Sequence, residues 1–103
     1  MYKGTTPTMI FTLLTTVDLT TVTSMWVTIK DSAGTPKNWT LDDVQIDNDK
    51  KEVYLTLTQS EVNDIADGEA ECQIRFLTSA GKAFATKIGV ITIDPTLKSG
   101  VIS

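Results

Sequence analysis

The segment EVYLTL, residues 52–57, sets the structural period of the chain. Every second residue from Val53 to Leu57 is apolar, and a period of two is typical of a strand with one buried face. The segment TQSE follows at residues 58–61 and matches a capping box, which marks the start of a helix. A second alternating segment, residues 70–77, comes after it. The sequence therefore predicts a strand, a short helix and a strand in succession.

Further alternating segments lie on both sides of this unit. Additional strands are predicted at residues 9–13, 25–30, 38–41, 44–46 and 83–93. The alternation in the last of these slips near Gly89, and a glycine at such a slip indicates a β-bulge. The helix is predicted at residues 59–66, with Gly68 as its C-terminal stop. Because it is so short, tertiary packing has to stabilise it.

Length and composition favour one β domain. A chain of 103 residues has room for a single core. Threonine occurs 18 times, and its branched Cβ favours extended backbone. We predict an all-β fold: a single immunoglobulin-like β-sandwich of about seven strands with one short helix, an N-terminal arm at residues 1–7 and a C-terminal tail at residues 96–103. A small, partly open barrel is the alternative.

Composition and charge disfavour several functional classes. The chain has no histidine, which removes the usual general base near neutral pH and the commonest metal ligand. The net charge is −4 and the nine basic residues are scattered, so we expect no nucleic-acid partner. No apolar segment has the length of a membrane span, and the N-terminus shows no apolar signal-peptide region. We therefore expect neither a membrane association nor a signal peptide.

The acidic residues and the cysteine do not form a recognisable reactive site. Four aspartates lie close together, at positions 42, 43, 47 and 49, but neither register of an EF-hand places glycine at its sixth position. Glu69 and Glu71 lie on an exposed strand face rather than in a cleft. Cys72 lies on the apolar face of its strand, where it packs as a small hydrophobe. The sequence predicts no catalytic residue, no metal site and no cofactor.

Four large side chains are the candidate interface residues. They are Trp26, Trp39, Tyr54 and Leu77. Trp26, Tyr54 and Leu77 fall on the outward faces of their strands. If these strands share a sheet, the side chains form an exposed apolar patch, which is typical of a protein–protein contact. Alternatively, the N-terminal arm, the helix or the loop before Trp39 covers them.

Several segments resemble small proteins encoded by phages and prophages of Gram-positive bacteria. They are GTTPT at residues 4–8 with IFTL at 10–13, VYLTLTQSE at 53–61, LTSAGKAFAT at 77–86, and LKSGVI at 97–102. More distantly, the layout is similar to the immunoglobulin-like N-terminal domain of phage baseplate upper proteins. This chain differs from those proteins because it lacks a long C-terminal region.

The resemblance implies a non-enzymatic structural or assembly module of the tail or baseplate. Such a module would dock on other virion proteins, with self-association as a further expectation, and would be found in the virion or in the host cytoplasm during assembly. Two other hypotheses remain open. One is a carbohydrate-binding module for the host surface, and the other is a prophage regulator or inhibitor that is not packaged.

Overall fold

The alternating segments form β-strands in a computed structural model, which describes residues 1–2 and 5–94. Eight strands occur in this part of the chain: β1 (Thr8–Thr12), β2 (Val22–Lys30), β3 (Pro36–Thr40), β4 (Gln45–Asp47), β5 (Glu52–Thr56), β6 (Gly68–Thr78), β7 (Ala83–Ala85) and β8 (Gly89–Ile93). One helix, α1 (Gln59–Asn63), and two 3₁₀ turns, Leu19–Thr21 and Leu41–Asp43, lie between strands. The predicted all-β fold class is confirmed.

The strands form two antiparallel sheets. One has the order β1-β5-β4, and the other has the order β3-β2-β6 with both β7 and β8 along the far side of β6. These orders correspond to strands B-E-D and C′-C-F-G of an immunoglobulin-like sandwich. Helix α1 lies at the crossover from the first sheet, after β5, to the second sheet, before β6.

The core lies between the two sheets. Val53, Leu55 and Leu57 are buried on the first sheet, as their alternation predicts. On the facing sheet, the buried residues of β6 include Cys72, Ile74 and Phe76. All belong to one apolar cluster. Because β5 and β6 belong to different sheets, the two sets form facing layers of one core.

The predicted last strand, residues 83–93, is two strands. Phe84 pairs with Phe76 and Gly89 pairs with Cys72. Four steps along β6, from 76 to 72, therefore match five steps on its partner, from 84 to 89. The Thr86 hydroxyl accepts a hydrogen bond from the Ile74 amide at 3.0 Å where the ladder is interrupted. The predicted slip is confirmed, and it raises the strand number from about seven to eight.

Helix α1 begins where the sequence predicts and ends earlier. Both bonds of the capping box are present: the Glu61 amide donates to Thr58 Oγ1 at 3.1 Å, and the Thr58 amide donates to Glu61 Oε1 at 2.8 Å. The helix stops at Asn63 instead of residue 66 because the Ala66 amide donates to the carboxylate of Asp31. That bond takes the amide away from a helical carbonyl.

The N-terminal residues contact the end of β8. The Met1 amino group donates to the Thr92 carbonyl at 2.7 Å, and Tyr2 forms a parallel bridge with Asp94. The predicted arm thus holds its first two residues against the second sheet. The predicted tail, residues 96–103, lies outside the described residues.

Candidate interaction surfaces

Two of the four predicted interface residues share one exposed face. Trp26 is 49% exposed and Leu77 is 40% exposed, and both point outward from the five-stranded sheet. Leu77 pairs with Ser24, two residues before Trp26 on β2, so the two large side chains are diagonal neighbours. This part of the predicted patch exists.

Trp39 is a core residue, and its assignment to the interface is wrong. Trp39 pairs with the buried Val27, so its ring points inward and is only 7% exposed. Its indole Nε1 donates to Glu61 Oε2 at 2.6 Å. The carboxylate that caps α1 thus also fixes the tryptophan ring. Burial raises the pKa of Glu61, but the hydrogen bonds from Thr58 and Trp39 outweigh this effect and leave the pKa below its usual value.

Tyr54 lies on the opposite outer face of the sandwich. It belongs to β5, in the three-stranded sheet, where it pairs with Ile10 and Gln45. Its hydroxyl donates to Glu52 Oε1 at 2.7 Å, and this bond, together with burial and the negative charges of Glu52 and Asp47, raises the pKa of Tyr54 to about 12. The predicted row of Trp26, Tyr54 and Leu77 is therefore not one surface, because the outer faces of two packed sheets point in opposite directions.

One rim of the sandwich, formed by β3 and β4, is closed by side chains and a short connection. The turn Leu41–Asp43 leads from β3 to β4. The Trp39–Glu61 bond joins β3 to α1. Asp31, after β2, accepts backbone hydrogen bonds from Ala66, Thr35 and Ala33, and these bonds lower its pKa. We call this side the β3/β4 rim.

The opposite rim, formed by β1 with β7 and β8, is open. A groove of about 580 Å³ lies between β1 and β8, and inward-facing residues such as Phe11, Ile74 and Ile91 line it. A second groove of about 390 Å³ continues along Leu13, Phe76 and Phe84. The two grooves share Thr12, Leu13, Thr86 and Lys87. We call this side the β1/β8 rim.

Exposed apolar side chains are concentrated along the β1/β8 rim. Five of them lie on or beside its strands: Ile10, Leu14, Phe84, Ile88 and Val90. Leu14 is fully exposed, and Val90 and Ile10 are 62% and 59% exposed. The Phe84 ring stacks on Phe76 with centroids 5.2 Å apart, so it also covers part of the core. These side chains do not share one face. Ile10 pairs with Tyr54 and points to the outer face of the three-stranded sheet, whereas Val90 pairs with Glu71 and points to the outer face of the five-stranded sheet.

The two grooves of the β1/β8 rim are free of acidic side chains. The lining residues of its two grooves include one lysine, Lys87, and the Met1 amino group, but no aspartate or glutamate. The Met1 amine lies 3.5 Å from the carboxylate of Asp94. In a chain with a net charge of −4, this lack of acidic side chains limits the repulsion that another acidic chain meets at the grooves.

A signal for this rim was present in the sequence. The period of two in residues 9–13 places Met9, Phe11 and Leu13 on one face of the strand and Ile10 on the other. Leu14 is a second large apolar residue, directly after this strand. The predicted interface was centred on aromatic residues and did not include these aliphatic side chains.

The groups that could support chemistry lie apart from one another. Within residues 1–2 and 5–94, no three His, Cys, Asp or Glu side chains come together as a metal site. Cys72 lies at the floor of the β1/β8 groove, and burial raises its pKa to about 11, which keeps it a thiol at neutral pH. No helix in the described part is long and apolar enough to cross a membrane.

The chain matches no protein-family model and no curated protein.

Proposed function

We propose that this protein is a non-enzymatic module of a phage virion that acts by docking on other virion proteins. The observation that supports docking is the edge of β1, which no strand in the described part of the chain pairs with, beside a groove lined by apolar side chains. A free strand edge and an apolar groove are both features that a docking partner uses. Ile10 and Leu14 add exposed apolar area beside this edge.

The phage setting rests on the sequence resemblance. The similar segments include residues 10–13 and 77–86, which contribute to β1 and β7 at this rim. A tail or baseplate protein is assembled in the host cytoplasm and then retained in the particle. Both locations are therefore expected for this chain.

Mass spectrometry of purified particles tests the virion assignment. We expect the protein to be present together with tail and baseplate components. Its absence from particles, combined with expression early in infection, would instead support a regulator that is not packaged.

A capture experiment tests the docking surface. Immobilised wild-type protein should retain at least one tail or baseplate protein from disrupted particles. The double variant Ile10→Ser/Leu14→Ser should retain less, because both residues are exposed and line the grooves beside β1. Trp26→Ser is the matched control, since Trp26 is exposed to a similar degree on the other surface. Loss of capture by the control alone would place docking on the outer face of the five-stranded sheet.

Binding of a host-surface carbohydrate is the second candidate, and Trp26 is the observation that favours it. Its ring is half exposed on an open sheet face, with Thr40 and Arg75 directly opposite on the neighbouring strands. Nearby amides are already engaged, however: Thr28 donates to Asn38 Oδ1, and the amide of Gln73 donates to the Thr86 carbonyl. A glycan array with wild type and Trp26→Ser separates this function from docking.

A further inference from the structure

Three of the four sheet edges carry features that discourage strand pairing. Proteins protect such edges with proline, lysine, charged residues, short strands or bulges. The edge strand β3 begins with Pro36 and Lys37, and β4 has only three residues and ends in Asp47. The edge formed by β7 and β8 is interrupted by the register slip next to Lys87.

The fourth edge, β1, has none of these features. Its sequence is TMIFT, residues Thr8–Thr12, without a charge or a proline. It pairs with β5 in an unbroken register over all five residues. Among the described residues, no strand pairs with its other side. This edge is therefore a ready template for another strand.

The backbone of β1 presents its free groups at alternate residues. The Leu57 amide donates to the Pro7 carbonyl at 2.9 Å, and the Leu13 amide donates to the Lys51 carbonyl at 2.7 Å. Because hydrogen-bonded pairs alternate in an antiparallel ladder, Met9 and Phe11 also bond to β5. The N–H and C=O groups of the even-numbered residues, with Ile10 at the centre, consequently point to the open side.

We propose that β1 pairs with the β1 strand of a second copy of this chain, antiparallel about a two-fold axis at Ile10. Ile10 then lies opposite the partner's Ile10, and Thr8 lies opposite the partner's Thr12. Each of these pairs exchanges two backbone hydrogen bonds. The two three-stranded sheets join into one continuous sheet. This inference deepens the proposed docking function by naming one partner.

The chemistry of β1 favours a second copy as its partner. The segment TMIFT is nearly symmetric about Ile10, so a two-fold axis brings threonine to threonine and isoleucine to isoleucine. Met9 and the partner's Phe11 meet on the inner face, where both are apolar. On the outer face, Ile10 and its neighbour Tyr54 extend the contact. The groove beside β1 holds no carboxylate, which limits repulsion between two acidic chains.

Analytical ultracentrifugation of the purified chain tests this pairing. Wild type should show a concentration-dependent monomer–dimer equilibrium. Ile10→Pro removes an amide that points to the open side and leaves the ladder with β5 intact, so it should raise the dissociation constant at least tenfold. Ile10→Lys should have the same effect by placing like charges at the two-fold axis. Leu77→Lys, the control, makes the same change at an exposed apolar strand residue of the other sheet and should leave the equilibrium unchanged.

A cross-link tests the register directly. Hydrogen-bonded pairs have Cα atoms about 5.5 Å apart, within the range of a disulfide. Ile10→Cys should therefore form a disulfide-linked dimer on mild oxidation, whereas Ser24→Cys, an exposed position on β2, should not. Circular dichroism checks that each variant is folded.

The outcomes separate this inference from the docking proposal. A wild type that stays monomeric at millimolar concentration, or a dimer that survives both Ile10→Pro and Ile10→Lys, would overturn self-pairing. A monomer that still captures virion proteins would overturn self-pairing alone. A dimer that is absent from particles would support self-pairing and contradict the virion assignment.

Discussion

The β3/β4 rim and the β1/β8 rim are built from similar strands, but the first is closed and the second is open. At the first, Trp39 turns inward and is held by Glu61, and Asp31 holds the Ala66 amide. At the second, Ile10 and Val90 remain exposed beside open grooves. The difference shows that alternation alone does not close a sandwich. Groups from outside the strands, here α1 and the residues after β2, have to cover the rim.

The largest effect is expected for Phe76→Ala, at the core side of the open rim. Phe76 is buried and stacks on Phe84. Loss of the ring should lower the free energy of unfolding by about 3–5 kcal/mol, because a cavity replaces it. Denaturant unfolding measures this change. A near-neutral result would show that the open rim contributes little to the core, and Phe84→Ala serves as the comparison for the stacking contact.

The next largest effect is expected for Trp39→Phe, at the closed rim. The substitution keeps a buried aromatic ring and removes the bond to the Glu61 carboxylate. We expect a loss of about 1.5–3 kcal/mol, the usual range for a hydrogen bond to a charged group. Unfolding at neutral pH measures it, and Trp26→Phe is the control for an exposed tryptophan.

The pH dependence of this difference sharpens the test. The pKa of Glu61 is lowered in the folded protein, so its stabilising effect is present above its ordinary pKa, 4.5, and is lost as the pH falls through the folded value. The gap between wild type and Trp39→Phe should therefore narrow in acid. A gap that is independent of pH would mean that ring shape, rather than the carboxylate bond, closes this rim.

A smaller effect is expected for Thr58→Ala at the start of α1. The change removes the acceptor of the Glu61 amide and should cost about 1 kcal/mol. Hydrogen exchange at the Glu61 amide should become faster. Unchanged exchange would contradict a capping role. Ser60→Ala is the control, because Ser60 is exposed on the same turn.

The smallest effect on stability is expected for Leu14→Ser at the open rim. Leu14 is fully exposed, so its loss should change the unfolding free energy by no more than about 0.5 kcal/mol. Thermal unfolding measures it. A clear loss of stability would show that another part of the chain covers Leu14, and the open rim would then be closed within the molecule.

Local patterns predicted much of the fold. The alternation of Val53, Leu55 and Leu57 predicted that these side chains are buried. The spacing of Thr58 and Glu61 predicted where the helix begins. These features depend on neighbouring residues, so they can be read along the chain. The end of α1 could not be predicted in this way, because it depends on Asp31, which lies far away in sequence.

The candidate surface was less predictable than the fold. Trp26 and Leu77 were placed correctly on an outward face, but the sequence did not show that Tyr54 belongs to the other sheet. Trp39 was predicted as an interface residue like the other three, yet its ring is buried. Sheet membership is set by long-range strand pairing, and the alternation of apolar and polar residues along one strand does not indicate it.

The sequence by itself determined the period of the strands, the capped start of α1 and the slip before Gly89, because each follows from the chemistry of adjacent residues. Only the tertiary structure decided which sheet each strand joins, which rim is closed and which edge stays unpaired. Strand pairing and rim closure are contacts between distant residues. For this reason the exposed edge of β1, with Ile10 at its centre, becomes visible only in the folded protein.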